Sequence, residues 1–461
     1  MITWVVRRVV PLVGLAVVLG SIIRGQHVPG VGADAWFHLR FGEEFLGGWS
    51  LRDPGHLGVY DNAEWLPTQW LSQVAMAWVH DRAGIAGVMT LAGVLALALT
   101  VGLYLACRLR AAPLPAVIAT AVGMMAASPG LSARPQLVSY LFVTATVAAW
   151  LATVRDGRPR YWVVALAWLW PMLHGMWLVG ISVSVVAVVG LVLQRELALP
   201  ALLRCALIPV LSLVVSMLNP LGFSVVRSIV DVGGRSDYFA EWGPTDFTAP
   251  AAALLAVMIA LALLGGLRSG PVPWAETLLA LLGVAWALFS LRTTPVAALI
   301  LAPILAGAIQ SLVPDRQPVS RGEGVAVAAL FLAGCVTMAV VAGHRSSEQV
   351  VADWVDTRLG SLPSGTKVLD DWATGSYLLH NHPELQLVMH GYGDVFTDAE
   401  IRRNADLVRL QPEWDRVVAD LDPDVALLDP GSALGYAVEH QLGWTRVEGD
   451  EELVLLTPPR P

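Results

Sequence analysis

The chain has 461 residues, of which 56% are hydrophobic and 14% are charged, and its mean hydropathy is +0.62. A soluble protein carries roughly 25% charged residues, so this composition predicts a polytopic α-helical membrane protein. The formal net charge of -8 argues against nucleic acid as a partner. Cys107, Cys205 and Cys335 lie in apolar runs without a spaced pair, which excludes a disulfide framework or a cysteine-based metal site.

Apolar runs follow one another along the first three quarters of the chain. A helix needs about 20 apolar residues to cross a bilayer. The run at 161–173 is short, and His174-Gly175 after it predicts a tight helical hairpin. We therefore predict about eleven spans. They lie near 4–23, 84–107, 114–130, 137–154, 161–173, 176–194, 200–217, 250–267, 273–289, 295–312 and 323–342.

The arginines predict the orientation, because Lys367 is the sole lysine. Short basic connections alternate with longer acidic or mixed ones, and the positive-inside rule places the basic ones in the cytoplasm. The basic connections contain Arg7, Arg8, Arg108, Arg110, Arg155, Arg158, Arg160, Arg195, Arg204, Arg268, Arg316 and Arg321. This pattern predicts a cytoplasmic N-terminus and an extracytoplasmic C-terminus.

The composition changes near residue 343, where charged residues become frequent. We predict a transmembrane domain over 1–342, with a long first outer loop over 24–83, and a soluble domain over 343–461. Strands alternating with helices predict a small α/β sheet for the soluble domain. The predicted strands are 366–370, 385–390 and 424–429, the helices are 398–410, 413–420 and 432–441, and a hairpin turns at Glu448-Gly449-Asp450.

The first outer loop carries the first candidate site residues. Asp34 and His38 are four residues apart and would share one face of a helix. An interfacial carboxylate can act as a general base; the alternative is that Asp34 is a solvated loop acid. Trp36 is typical of the aromatic side chains that lie at the level of the lipid headgroups. The aromatic segment 64–73, which contains Trp65 and Gln69, suits a lid along the membrane surface.

Two arginines stand on the outer side, against the positive-inside bias. Arg134 precedes Pro135-Gln136 at the start of one span, and Arg292 precedes another. A guanidinium group suits a bidentate phosphate contact. The alternative is an arginine that snorkels to the lipid headgroups.

Two further outer connections carry ionisable residues. His174 is the one ionisable group of its apolar stretch, so it is either a hydrogen-bonded structural residue or part of a site completed by other loops. Asn219-Pro220 breaks a helix, and Glu241-Trp242 follows it. Glu241 is either a second functional acid or an interfacial carboxylate beside an aromatic anchor.

Taken together, these segments resemble a bacterial family of multi-span proteins related to the GT-C membrane glycosyltransferases. The resemblance covers nearly the whole chain, and its short motifs are informative by their order. They are Asp34-Ala35-Trp36-Phe37-His38-Leu39, Ala133-Arg134-Pro135-Gln136, His174-Gly175, Leu218-Asn219-Pro220, Glu241-Trp242, Leu291-Arg292-Thr293-Thr294-Pro295, Trp372-Ala373-Thr374-Gly375-Ser376-Tyr377-Leu378 and His390-Gly391-Tyr392-Gly393-Asp394.

The resemblance implies an enzyme of a bacterial plasma membrane that moves a sugar from a polyprenyl-phosphate donor to a glycan, lipid or protein acceptor on the outer face. Asp34 stands where the family has its base. The predicted catalytic residues are Asp34, His38, His174 and Glu241, those for the donor phosphate are Arg134, Arg292 and Gln136, and those for the acceptor or lid are Trp36, Trp65, Gln69 and Trp242. Whether a divalent cation is bound stays open. The alternative function is a non-enzymatic carrier or envelope-assembly scaffold that binds a lipid headgroup.

Overall fold

The computed structural model describes most of the chain as two compact units. The helical unit comprises Met1–Val28, Ala86–Arg227 and Phe239–His344, and the mixed unit comprises Pro29–Ile85, Ser228–Tyr238 and Arg345–Pro461. The structure describes residues 8–25, 32–58, 60, 63–233, 240–268, 272–313, 318–346 and 351–459.

Each predicted apolar run forms a helix. Among the described residues, six helices are long and apolar enough to cross a membrane, and five shorter apolar helices accompany them. The count of about eleven spans stays a prediction. The apolar helices are α1 Val10–Gly25, α3 Trp70–Arg108, α4 Pro113–Ala126, α5 Gln136–Asp156, α6 Trp162–Leu173, α7 Trp177–Gln194, α8 Leu199–Ser216, α10 Pro250–Arg268, α11 Trp274–Phe289, α12 Thr294–Gln310 and α13 Arg321–Arg345; α2 Ala33–Leu46 and α9 Ser224–Gly233 lie between them.

The predicted first loop is itself partly helical. It contains α2 and the beginning of α3, which kinks at Gly84 with φ 57° and ψ -159°. Glycine adopts such a conformation without steric cost. The kink lies next to Ile85, where this segment of the mixed unit ends and the helical unit begins.

Helix α12 forms the core of the helical unit. It packs against α4, α5, α10 and α11, and its residues from Val296 to Ala302 are at most 1% exposed. Small residues allow this close approach between helices. A Cβ added at Gly123 of α4 would lie only 2.9 Å from the Ala302 Cβ, so a larger residue at 123 would push the two helices apart.

Contacts at the two ends of α11 and α12 show that these consecutive helices run in opposite directions, as a chain that crosses back and forth requires. At one end, Glu276 in the first turn of α11 pairs with Arg110 at 2.5 Å, and Gln310, the last residue of α12, accepts a hydrogen bond from the Ala112 backbone at 2.6 Å. At the other end, α11 finishes and α12 starts on either side of Arg292. A helix of 16 residues is about 24 Å long, so the residues predicted to be cytoplasmic and those predicted to be outside lie at opposite ends of these helices.

This arrangement gives a testable orientation. We expect a reporter that is active only in the cytoplasm to stay silent when it is fused after Pro461, since an odd number of spans from a cytoplasmic N-terminus ends outside. The same reporter inserted after Gly157, in a predicted cytoplasmic connection, is the control and should be active. Strong signal from the C-terminal fusion would reverse the predicted orientation.

The mixed unit contains the predicted small α/β sheet, which is confirmed. The strand order is β2-β1-β3-β5-β4, with β2, β1 and β3 parallel and β5 and β4 antiparallel. Two helices, α14 and α15, were not predicted. The elements are α14 Asp353–Leu359, β1 Lys367–Leu369, α15 Trp372–Asn381, β2 Gln386–Leu387, α16 Asp398–Val408, α17 Trp414–Leu421, β3 Val425–Leu428, α18 Ala433–His440, β4 Thr445–Gly449 and β5 Val454–Thr457.

Two of the motifs that carry the family resemblance, at 372–378 and 390–394, lie in the tail and pack on each other. The Gly391 backbone donates to the Ser376 hydroxyl at 2.8 Å, and a Cβ at Gly375 would lie 1.9 Å from the Met389 carbonyl oxygen. Asp370 accepts hydrogen bonds from the Met389 and Val388 backbones. Burial raises the pKa of this carboxyl well above its usual range, although those two hydrogen bonds oppose the shift. These motifs therefore stabilise the fold of the tail.

An aromatic core joins α2 to the tail inside the mixed unit. Tyr392 stacks on Phe37 with ring centroids 5.1 Å apart and meets Phe41 at 4.8 Å and Trp65 at 5.4 Å. Ala63 also donates a backbone hydrogen bond to Val395 at 2.9 Å. Residues from the predicted first loop and from the predicted soluble domain thus share one core.

Candidate functional site

Three of the predicted site residues converge in the helical unit. The Arg292 guanidinium donates to Glu241 Oε1 at 2.5 Å, and Arg134 Nη1 lies 3.6 Å from Glu241 Oε2. All three side chains are partly exposed, at 31% for Arg134, 23% for Arg292 and 40% for Glu241. We name these residues the Arg–Glu–Arg cluster. Two guanidinium groups thus lie against one carboxylate, and a guanidinium group suits a bidentate contact with a phosphate.

Local backbone contacts hold this cluster together. The Leu291 backbone donates to the Gly243 carbonyl at 3.0 Å, so the short 3₁₀ turn that carries Glu241 lies beside the one that carries Arg292. Ser290 and Thr293 form a reciprocal capping box around Arg292. Such a cap satisfies backbone donors at a helix start, and it stabilises the short turn that carries Arg292.

Trp242 contacts the cluster, whereas Gln136 is bound to a neighbouring turn. The Arg292 guanidinium carbon lies 5.1 Å from the centre of the Trp242 ring, within range of a cation–π interaction. Gln136 is buried, and its amide donates to the Gly130 carbonyl at 3.0 Å. This bond positions the turn before α5. Contact between Gln136 and a donor phosphate stays a prediction.

His174 is buried at the predicted hairpin between α6 and α7. Its Nδ1 lies 2.9 Å from the Ser139 hydroxyl, which also accepts a hydrogen bond from the Trp170 indole at 2.7 Å. The Met176 backbone N–H points at the same Nδ1. With two donors directed to Nδ1, the neutral ring carries its proton on Nε2. Ser139 was missed, because one hydroxyl in an apolar run carries little signal.

Asp34 and His38 lie in the mixed unit, on α2. Asp34 is half-buried in the first turn of the helix, where the helix dipole favours a negative charge. His38 is 3% exposed, and its Nδ1 lies 3.2 Å from the Gln73 amide nitrogen. Its ring also contacts Phe37. The predicted shared face is present, but His38 is part of a buried core.

The three remaining predicted residues also belong to the mixed unit. Trp36 and Trp65 are at most 5% exposed; Trp36 packs against Tyr377, and the Trp65 indole donates to the Gly55 carbonyl at 3.3 Å. Gln69 is half-buried just before α3. The structure therefore places both tryptophan rings in the core, whereas a surface lid would need them exposed.

Comparison with solved structures relates this geometry to known proteins. No family model and no curated protein matches the chain. It is similar in structure to ArnT from Cupriavidus metallidurans bound to undecaprenyl phosphate, with a TM-score of 0.53, 16% identity and 97% of both chains covered. The chain has the fold of the GT-C membrane glycosyltransferases. The predicted resemblance to that group is thereby confirmed at the level of fold.

Two further GT-C structures extend this finding. The archaeal oligosaccharyltransferase AglB from Archaeoglobus fulgidus, in complex with an inhibitory peptide and a dolichol-phosphate, gives a TM-score of 0.57 at 10% identity, over 91% of this chain and 69% of that one. The mycobacterial arabinofuranosyltransferase AftD gives 0.53 at 15% identity, over 97% of this chain and 41% of that one. At such identities the likeness concerns the fold.

Proposed function

We propose that the protein is a glycosyltransferase of a bacterial plasma membrane that moves a sugar from a polyprenyl-phosphate donor to an acceptor of the cell envelope on the outer face. The observation that carries this proposal is the Arg–Glu–Arg cluster in a chain of GT-C fold. Its two arginines come from connections that the arginine bias predicts to be outside, and their guanidinium groups suit a lipid-linked phosphate.

The proposed reaction inverts the configuration at the anomeric carbon of the sugar. Asp34 takes the proton from an acceptor hydroxyl, and the oxygen attacks the anomeric carbon. The bond between that carbon and the donor phosphate breaks, and the phosphate leaves with the bonding electrons. Arg134 and Arg292 neutralise the leaving phosphate, as preorganised charge does for negative charge that develops in a transition state.

The other predicted residues receive supporting roles in this proposal. His174 offers an Nε2–H donor for the phosphate, because Ser139 and Met176 occupy its Nδ1. Glu241 holds the two arginines in position until the phosphate enters. Trp242 supports Arg292 through its ring. His38 orients α2 through the buried contact with Gln73.

Binding of a polyprenyl phosphate tests the phosphate site. We expect Arg134→Gln and Arg292→Gln each to weaken binding of radiolabelled undecaprenyl phosphate to the full chain in lipid nanodiscs by about 10- to 100-fold, since a charge-assisted hydrogen bond contributes about 1.5–3 kcal/mol. Glu241→Gln should bind at least as well as the wild type, because it removes the competing carboxylate.

Arg155→Gln is the matched control. Arg155 is exposed in the last turn of α5, at the opposite end of the helix from Arg134, so its loss should leave binding unchanged. Equal binding by all three arginine variants would mean that Arg134 and Arg292 only anchor the protein at the headgroups. Binding lost in the two cluster variants, but with no transfer by the wild type to any glycan, lipid or protein acceptor, would favour the carrier function.

A further inference from the structure

Three metal-ligating side chains meet in the mixed unit, outside the residues that the sequence singled out. Glu43, His80 and His380 each offer one ligand atom, and these atoms all lie within 4.8 Å of one another. His380 Nδ1 is 3.6 Å from Glu43 Oε2, and His80 Nδ1 is 3.8 Å from Glu43 Oε1. The two histidine rings meet edge to face with centroids 5.0 Å apart.

Helix packing positions these residues. Glu43 lies on α2 and His380 on α15, two helices that pack together. The neighbouring Gly42 lets α2 approach the backbone of α3, where a Cβ would lie 2.1 Å from the Gln73 carbonyl oxygen. His80 lies two helical turns beyond Gln73 on the same helix. The three ligands are thus held by three helices.

His380 supplies an independent indication of a ligand. Its side chain is 9% exposed, and its Nδ1 has no hydrogen-bond partner among the residues that the structure describes. Buried polar atoms nearly always have a partner, and an exception calls for an explanation such as a bound ion. This nitrogen is the atom directed at the Glu43 carboxylate.

We propose that Glu43, His80 and His380 bind a Zn²⁺ ion. Two imidazole nitrogens and one carboxylate oxygen form a ligand set that zinc accepts, and water completes a tetrahedron. Metal–ligand bonds of about 2.1 Å place neighbouring ligands of a tetrahedron about 3.4 Å apart. The three ligand atoms lie within 4.8 Å of one another, so they would move closer by at most about 1.4 Å to bind the ion.

The nearest arginine leaves Glu43 accessible to a metal. Arg40 Nη2 is 2.6 Å from the Glu44 carboxylate, whereas its Nη1 is 3.8 Å from Glu43. The stronger contact of Arg40 is therefore with Glu44. On the other side, the Trp36 ring lies 5.3 Å from the His380 ring and shields it from water. The ion would join α2 and α3 to the tail through α15, and so stabilise the folded mixed unit.

Zinc binding to the full chain, without a histidine tag, tests this proposal. After removal of metals with a chelator, we expect the purified protein to take up one Zn²⁺ per chain from ZnCl₂, measured by elemental mass spectrometry, and to unfold at a higher temperature with Zn²⁺ than without it. MgCl₂ should not replace ZnCl₂, since Mg²⁺ prefers oxygen ligands. His380→Gln should lower the zinc affinity at least about 100-fold, because even residues outside the ligand set cost 10–100-fold.

His440→Gln is the matched control. His440 is exposed on α18, with its ring stacked on Tyr436, and the variant should keep the zinc. Glu43→Gln, which preserves the side-chain shape, serves if His380→Gln does not fold. A folded wild type that takes up no zinc, or folded His380→Gln and Glu43→Gln variants that bind it normally, would overturn the site. Zinc uptake is measured without sugar transfer, so either proposal can fail alone.

Discussion

Replacing Asp34 with asparagine is expected to slow sugar transfer about 10²–10⁴-fold, the usual contribution of a general base. The change keeps the shape of the side chain and removes its ability to take a proton. Asp34 is half-buried in the first turn of α2. Because asparagine has nearly the same shape as aspartate, we expect it to fit at this position without disturbing the helix. Expression and binding of undecaprenyl phosphate should stay close to wild type, and transfer is measured with a radiolabelled lipid-linked sugar.

Asp53→Asn is the matched control for this prediction. Asp53 lies in the same predicted outer loop and is exposed, so its replacement should leave the transfer rate unchanged. If Asp34→Asn transfers sugar as fast as the wild type, another group is the base. Glu241 would then be the next to replace, although Arg292 and Arg134 already engage its carboxylate in ion pairs.

Much of the helical unit could be predicted from the sequence. Long apolar runs leave few alternatives to helices, and the arginine pattern predicts that Arg134, His174, Glu241 and Arg292 lie on one side. The contact between Glu241 and Arg292 spans 51 residues, and it depends on how two short turns lie against each other. Hydrophobic periodicity describes single helices, so it does not predict which turns meet.

The mixed unit shows where the sequence was less informative. A segment with aromatic residues on one side suits a membrane surface as well as the core of a folded domain. Trp36 and Trp65 follow the second possibility, since they pack with residues of the tail. Glu43, His80 and His380 lie too far apart in the sequence to form a recognisable metal motif, and only the fold brings them together.

A buried ion pair at the predicted cytoplasmic end of the helical unit gives the largest expected effect on stability. Arg108 donates to both carboxylate oxygens of Glu323, at 2.6 and 3.0 Å, and Tyr104 donates at 2.7 Å. The two charged side chains are 2% and 7% exposed. Glu323→Gln leaves the Arg108 charge buried without its counter-charge, so we expect the free energy of unfolding to fall by about 3–5 kcal/mol. Thermal or denaturant unfolding in detergent measures it.

The matched comparison is Asp156→Asn, which breaks an exposed pair. Asp156 receives two hydrogen bonds from Arg160, at 2.6 and 2.7 Å, so its geometry is as good as that of the buried pair. Solvent screens it, however, since the two side chains are 34% and 21% exposed, and the expected loss is about 0–1 kcal/mol. Equal losses in the two variants would show that water reaches Arg108, and that burial does not determine the strength of this pair.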